Sequence, residues 1–456
     1  MDLQKEVYVQ NAEQVTNHGN VTLRQAAVDI LEYALKASDP YSAIEKLVNL
    51  DDHWLSVGDL QFNLEKYERI FILGAGKASR RIAQVLEDIL GDWITGGLFV
   101  LKHGDMANLK QTDVVYAAHP VPDENSYQGA KGLLDLADTF SEKDLVITGI
   151  TGGSSALLAL PPEGINLEDL QRVNEILLLS GADIYQINAV RKHLSRIKGG
   201  LLAKEILPAT LINLTVSDVV GDALDYITGP TVVDTSTFDD ARNVLDKLDL
   251  WAKFPASTCD YLRFGGDAQE TPKSFKGMPL HSFIVVPGDA ACVAADKRAK
   301  ELGFNSMILT SMLTGEAKEA GSFFASIGRE ISTFGRPAGS PCAIIGGGEN
   351  VVTIGDEDRG EGGPNLEFAL AASLEIADLG QVVIAAIDTD GLDGSTDTAG
   401  GLVDGSTIKA AVDKGLDPEM NLKTHNAKEV LAQTDDAILT GPTGTNVNDL
   451  KLLLFS

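Results

Sequence analysis

The chain has 456 residues, more than one ordinary core accommodates, so two domains are expected. Apolar residues make up 44% and charged residues 23%, the balance of a soluble globular protein and not of a fibre or a disordered chain. Lys and Arg number 37 against 66 Asp and Glu, and a formal charge of −29 repels nucleic acid and anionic membrane, so neither is an expected partner. Cys259, Cys292 and Cys342 are scattered without a CxxC spacing, which argues against a disulfide framework or a zinc site and for a reducing compartment. The first twenty residues carry Asp2, Glu6 and Glu13, and no run approaches the roughly 18 apolar residues of a membrane span. A cytoplasmic location is expected.

Thr22 is followed by Gln25 at capping-box spacing, and AAVDILEYALKAS continues with a helical repeat. A second helix is predicted over Tyr41 to Val48. Arg69 to Leu73 reads as a strand that runs into GAGKAS (Gly74 to Ser79), and RRIAQVLEDIL reads as an amphipathic helix. Strand, glycine turn and helix in that order aim free amide N–H groups and the positive helix end at one spot, which suits a phosphate or a carboxylate. Gly74, Gly76 and Ser79 frame this turn, and Lys77 adds a charge. Two familiar nucleotide motifs do not fit. Ser79 stands where a dinucleotide fingerprint has its third glycine, and the next strand, Gly97 to Leu101, ends in Lys102-His103 with no acid for a ribose hydroxyl. A P-loop would need a glycine five before Gly76 and a hydroxyl at Ala78.

Strand Asp113 to Ala118, a helix ending at Phe140 and strand Asp144 to Thr148 follow. A second glycine- and hydroxyl-rich strand end comes next, in which Gly152, Gly153, Ser154 and Ser155 can wrap phosphate. After a helix over Leu167 to Leu179, ADIYQINAVRKHLSRIKGGLLAKEIL is predicted as one long helix, with Asn188, Arg191, His193, Ser195 and Lys198 among apolar residues. In so acidic a protein this basic cluster is a candidate anion site. Strand Thr210 to Val216 leads to Asp218 and Asp222, placed where a metal or a substrate hydroxyl would be met. The less patterned stretch after Thr231 reads as the end of a first domain and a linker.

A second α/β run is predicted: strand His281 to Val286, helix Ala290 to Leu302, strand Asn305 to Thr310, helix Gly315 to Phe334, and strand Cys342 to Ile345 leading into GGGEN (Gly346 to Asn350). A helix follows Asn365, and Val382 to Ile387 is a short buried strand that breaks into acid and glycine. Asp388, Asp390, Asp393, Asp397 and Asp404 crowd this loop, and such carboxylates repel one another unless a cation or a donor-rich ligand sits among them. The loop is not an EF-hand, because Leu392 takes a ligand position and Gly391 comes too early. The chain closes with a helix over Asn426 to Gln433, a strand over Ala437 to Leu439, GPTGTNVND and the apolar tail LKLLLF.

Taken in order, GAGKAS, TGGSSALL, NAVRKHLSRIKGG, SDVVGD, GPT, GGGEN, DTDGLDGSTDTAGG and GPTGTNVND resemble the two-domain glycerate 2-kinase family, whose second part is called MOFRL and which has also been labelled hydroxypyruvate reductase. The resemblance runs from about Arg24 to Leu453. It implies an α/β fold: residues 1–272 as a Rossmann-like domain with a mainly parallel sheet, residues 273–456 as a smaller MOFRL-type α/β domain, and an active cleft between them. The implied activity is ATP- and Mg2+-dependent phosphorylation of D-glycerate at the 2-hydroxyl, giving 2-phosphoglycerate. The partner is a small hydroxy acid, and a homodimer is left open.

The family's functional lysine falls on Lys77, and its helix-borne cations fall on Arg191, Lys192 and Lys198. On this reading Lys77, Arg191, Asp222 and Asp390 are catalytic, and Asp218, Asp390 and Asp393 are the metal carboxylates. Nucleotide contacts fall on Gly74, Gly76, Ser79, Gly152, Gly153, Ser154, Ser155 and Lys198 in the first half. In the second half they fall on Gly347, Gly348, Glu349, Asn350, Asn365, Glu367 and Asn446. The chain departs from the family where many members have GGRN: Pro364 replaces the arginine. Proline suits a helix start, whose N-terminus would restore part of the positive field, with Arg191 or Lys198 carrying the rest. Three alternatives are an NAD(P)-dependent hydroxypyruvate reductase, a kinase of a related sugar acid, and a non-catalytic ligand-binding protein.

Overall fold

Apolar runs of about seven residues are too short for helices and long enough to cross a sheet, and they become strands here. The computed structural model describes residues 7–219, 221, 229–355 and 360–456. Two compact units emerge: Pro40–Val286 is one, and Pro287–Ser456 together with the N-terminal residues through Asp39 is the other. Helix α1 (Val21–Ala37) therefore belongs to the C-terminal unit. Its N-cap is Asn20, whose side chain accepts the Leu23 N–H at 3.2 Å, so the helix begins before the expected Thr22 box.

The first unit holds six parallel strands: β1 (Arg69–Ala75), β2 (Gly96–Lys102), β3 (Asp113–Ala117), β4 (Asp144–Ile150), β5 (Thr210–Val216) and β6 (Leu280–Val286). They lie in the order β3-β2-β1-β4-β5-β6, the strand order of a Rossmann sheet. Every residue of β4 is buried, as expected of a parallel strand covered on both faces. A small antiparallel sheet over residues 48–63, which the sequence pattern did not reveal, also belongs to this unit. Strand β6 had been expected to open the second domain. Instead it pairs with β5, and the chain leaves the unit at 286/287, not at 272/273.

Helices α2 (Ser79–Leu90), α3 (Glu124–Ala137), α4 (Leu167–Leu178) and α5 (Ile184–His193) belong to the same unit. The predicted long helix is broken: α5 stops at His193, and helix resumes only at Leu201–Ile206. Gly199 and Gly200 both take positive φ, and Ser195 Oγ accepts the N–H groups of Ile197 and Lys198, which replaces helical bonds by a local turn.

The second unit is built on a mixed six-stranded sheet of β7 (Asn305–Leu313), β8 (Cys342–Gly348), β9 (Val382–Asp388), β10 (Gly400–Asp404), β11 (Ala437–Ile438) and β12 (Asp449–Phe455). The order is β7-β8-β12-β9-β10-β11, so the apolar tail is a fully buried strand in mid-sheet, antiparallel to both neighbours. Helices α6 (Ala290–Glu301), α7 (Ala317–Phe334) and α8 (Pro364–Glu375) belong to this unit, and Phe324 and Phe368 meet in its core. Arg24 on α1 is fully buried; its Nε donates to Asp404 at 2.6 Å, and a second guanidinium nitrogen lies 2.8 Å from Asp436. Removing one member of such a pair strands a buried charge, so this bridge ties α1 to β10. Among the described residues no helix is long and apolar enough to cross a membrane.

Candidate active site

From β1 the chain moves outward to β2 and β3; it then returns to β4 beside β1 and moves the other way. Ligands in open parallel sheets bind at the carboxyl ends of the strands where the order reverses, which here is the β1/β4 pair. Both strands end in glycine turns, and the turns lock together. Lys77 N–H donates to Gly152 O at 2.8 Å, Ala78 N–H to Thr151 Oγ1 at 3.1 Å, and Ser79 Oγ to Gly149 O at 3.1 Å. Gly76 has φ +133°, and a Cβ there would fall 2.1 Å from Thr151 Oγ1, so only glycine lets the turns approach this closely. At Gly153, φ +83°, a Cβ would meet Lys77 Cγ at 3.0 Å and His119 Nε2 at 3.3 Å. The Lys77 stem and the His119 ring therefore bracket the Gly153 backbone.

Beside them is a cavity of about 370 Å³, lined by His119, Gly153 and Ser155 from the strand ends, Asn174 from α4, and Arg191 and Lys198 from α5 and the turn after it. Breaking the predicted helix after His193 brings Lys198 here. Lys198 is 5% exposed; its Nζ donates to Leu158 O at 2.6 Å. Burial, with Arg191 close by, pulls its ammonium down to about 7. Burial also lowers the Arg191 pKa, and its Nε donates to Asn174 Oδ1 at 2.8 Å. Among the described residues neither cation forms an ion pair. Two desolvated cations without carboxylates, on a cavity at the sheet's reversal point, are an arrangement that an anion completes.

The rest of the predicted basic cluster has other duties. Lys192 is buried against Asp234 at 2.5 Å, and His193 Nε2 meets Glu270 at 2.7 Å. Ser79 is fully buried on Gly149 O, and Gly74 is pressed against Phe99 and Gly149, so neither is placed to touch a nucleotide. Gly152 gives its carbonyl to Lys77, Ser154 is buried at the start of a one-turn helix, and Ser155 is the hydroxyl that reaches the cavity. Asp218 follows β5 in this unit, and Asp222 lies outside the described residues.

In the second unit the acidic loop corrects the expectation of a carboxylate cage. Asp393 is 1% exposed, and both its oxygens face α8: Oδ1 accepts from the Asn365 N–H at 2.9 Å and Nδ2 at 3.1 Å, and Oδ2 from the Leu366 N–H at 2.8 Å. It anchors the helix N-terminus, which takes three of the roughly four acceptor sites of the carboxylate. Asn365 bonds to Asp393, Asp449 and Lys451, and Glu367 is buried against His425 at 2.9 Å, so both side chains are engaged within the unit. Asp397 pairs with Lys428 and Asp404 with Arg24. Asp390 accepts the Leu392 N–H on Oδ1 at 2.9 Å, within the loop itself.

Gly347 and Gly348 owe their lack of a side chain to close packing on Cys292 and Leu313. Glu349 is exposed beyond β8, and Asn350 and Asn446 are buried, Asn350 donating to Gly315 O at 3.2 Å. Among the described residues no group of three or more His, Cys, Asp or Glu is placed to hold a metal ion.

Comparison with known proteins accords with this geometry. Residues 26–263 match the model of a domain of unknown function, DUF4147, and residues 342–449 match the MOFRL family. A glycerate 2-kinase of Pyrococcus horikoshii is 43% identical over 95% of this chain and 97% of its own length. The chain belongs to the glycerate 2-kinase family. A solved structure of a glycerate kinase from Thermotoga maritima, 37% identical, superposes with a TM-score of 0.81 over 95% of this chain and all of that one. A relative named for hydroxypyruvate reductase, from Agrobacterium vitis, is 36% identical over 85% of this chain and 99% of its own length.

Among the cavity residues that the sequence motifs did not point to are His119 and Asn174. Asn174 had a readable signal. Gln171, Asn174, Glu175 and Leu178 recur at i, i+3, i+4 and i+7 and all line the cavity, though a polar helical stripe normally reads as a solvated face. His119 offered only its position after β3.

Proposed function

We propose that this member of the glycerate 2-kinase family transfers the γ-phosphoryl group of ATP to the 2-hydroxyl of D-glycerate, giving 2-phosphoglycerate. The observation that carries the reading is the pair of Lys198, buried, and Arg191, half-buried, beside one cavity without a carboxylate partner at the β1/β4 reversal. Phosphoryl transfer asks a protein mainly to position reactants and neutralise charge. Lys77, on the turn that faces Gly153, would stabilise charge on the transferring group, and Arg191 and Lys198 would hold an anionic oxygen pair.

The donor set of this cavity fits phosphate or carboxylate. Mg2+ commonly takes one or two carboxylates and completes its shell with phosphate oxygens and water. Asp218 in the first unit and Asp390 in the second are each candidates for that role, and Asp393 is the weaker candidate because both its oxygens already accept N–H groups of α8. When bound, the ion would neutralise part of the phosphate charge. Three unpaired buried cysteines accord with a cytoplasmic setting. The hydride-transfer alternative lacks an acid after β2, where the chain reads Lys102-His103.

The test sets ADP formation from ATP and D-glycerate against NAD(P)H oxidation with hydroxypyruvate, and phosphorus NMR separates the 2-phosphate from the 3-phosphate. Hydride transfer without phosphorylation would overturn the proposal.

A further inference from the structure

We infer that Asn174 is a positioning residue of this site: its neutral amide fixes Arg191 while leaving the guanidinium charge undiminished for an anionic oxygen pair. The inference rests on the kinase reading of the cavity and adds to it what keeps the charge available.

Three consecutive basic residues, Arg191, Lys192 and His193, end helix α5. The two that turn away from the cavity meet carboxylates, Lys192 at Asp234 and His193 at Glu270. The one that lines the cavity meets an amide, with Arg191 Nε donating to Asn174 Oδ1 at 2.8 Å. Desolvated cations are ordinarily paired with carboxylates, and within this run the exception falls where pairing would compete with a ligand. Negative charge is also kept aside next door. Glu175 lines the same cavity, and its carboxylate turns to Arg172 at 3.0 Å.

Helix α4 holds Asn174 firmly. Asn166 caps it through the Asp169 N–H at 2.7 Å, Val173, Ile176 and Leu177 are buried, and Gln171 Nε2 donates to Pro122 O at 2.6 Å. A guanidinium has five N–H donors, and the single bond through Nε leaves the terminal nitrogens for a two-pronged grip on a carboxylate or phosphate. Either anion could come from this reaction, the hydroxy acid's carboxylate or the nucleotide's phosphate, and kinetics tells them apart.

Asn174→Asp is the decisive substitution, because it keeps the accepting oxygen and the shape while neutralising Arg191. Asn174→Ala and Asn174→Ser remove the tether without adding charge. Asp is expected to raise one KM by about tenfold or more, the scale of one charge-assisted hydrogen bond, with kcat within about threefold. Ala and Ser are expected to raise it less. Whether the KM for D-glycerate or for ATP moves identifies the anion.

A merely structural tether gives the reverse ranking, with Asp nearest to wild type, and that ranking overturns the inference. So does an unchanged KM in all three variants with the fold intact by circular dichroism. Calorimetric binding of D-glycerate and of inorganic phosphate to wild type and Asn174→Asp keeps the two ideas separable. A wild type that does not phosphorylate glycerate sinks the kinase reading alone, whereas equal binding by both proteins sinks the role of Asn174.

Discussion

Replacing Lys198 by methionine tests the cavity chemistry most directly, because it is expected to make the protein more stable and less able to bind its anion. Lys198 is 5% exposed, and its ammonium is pulled from the ordinary 10.5 to about 7. Each unit is worth 1.36 kcal/mol, so holding this charge in the ligand-free protein costs roughly 5 kcal/mol at acid pH. Methionine keeps the length and packing but gives up the bond to Leu158 O, and an unpartnered buried carbonyl costs about 1–3 kcal/mol. The net expectation is a gain of about 2 kcal/mol or more below neutrality.

Burial of this one ammonium also fixes the sign of the pH dependence. Between about pH 7 and 10.5 the unfolded chain holds a proton on Lys198 that the folded one has released, so wild-type stability rises with pH in this window. The advantage of Lys198→Met should therefore be full below about pH 7 and shrink above it. Urea denaturation of both proteins from about pH 6 to 9.5, with the first unit followed by hydrogen exchange, measures the gap. Adding D-glycerate should stabilise wild type more than Lys198→Met, which keeps only Arg191 of the two cations to pair with the anion. A variant less stable than wild type at pH 6, or a gap that widens with pH, would refute the reasoning.

Lys77→Ala is expected to lower kcat by about 10² or more, the usual loss of a donor aimed at developing charge, and a drop under about threefold with an intact fold would return Lys77 to an ordinary helix-start lysine. Excess chelator is expected to abolish phosphorylation and added Mg2+ to restore it; full turnover in chelator would exclude a divalent requirement. Asp393→Asn is expected to cost about 1–3 kcal/mol of stability below about pH 4, where the wild-type carboxyl is neutral, because one amide edge must face helix N–H donors. This deficit should shrink or reverse as pH rises to about 7, and the Mg2+ titration should stay unchanged. Burial, with Asp449 nearby, raises the Asp393 carboxyl from 3.8 to about 7, so this group makes stability fall as pH rises through that window. Denaturation across the same window should show that slope in wild type and not in the variant.

Much of the first sheet could be read ahead because each motif is local: a strand, its glycine turn and the helix after it lie within some twenty residues, and physics of that range is visible in sequence. The order β3-β2-β1-β4-β5-β6 and the placement of β6 depend on pairing across the chain, which no window contains. The acidic loop shows the same limit from the other side. Its carboxylates read as a cage because their partners are distant: Asp393 answers α8, Asp397 answers Lys428, and Asp404 answers Arg24 from the other end of the chain. The break before Lys198 had a local signal in Gly199-Gly200, and a continuous helical repeat on either side concealed it.

Pro364 starts α8, where a missing N–H costs nothing, and the next two N–H groups, of Asn365 and Leu366, both donate to Asp393. The positive helix end is thus already answered by a buried carboxylate, so it does not supply the field that the missing arginine would have given. Arg359, five residues before Pro364 in the sequence and a second possible source of that charge, lies outside the described residues. The kinase reading then leans on Lys77, Arg191 and Lys198. Arginine keeps its charge at any working pH, whereas Lys198 surrenders its proton near neutrality unless an anion holds it there. A chain that relies on such a lysine binds its anion most firmly below about pH 7, and takes up a proton when it binds above it.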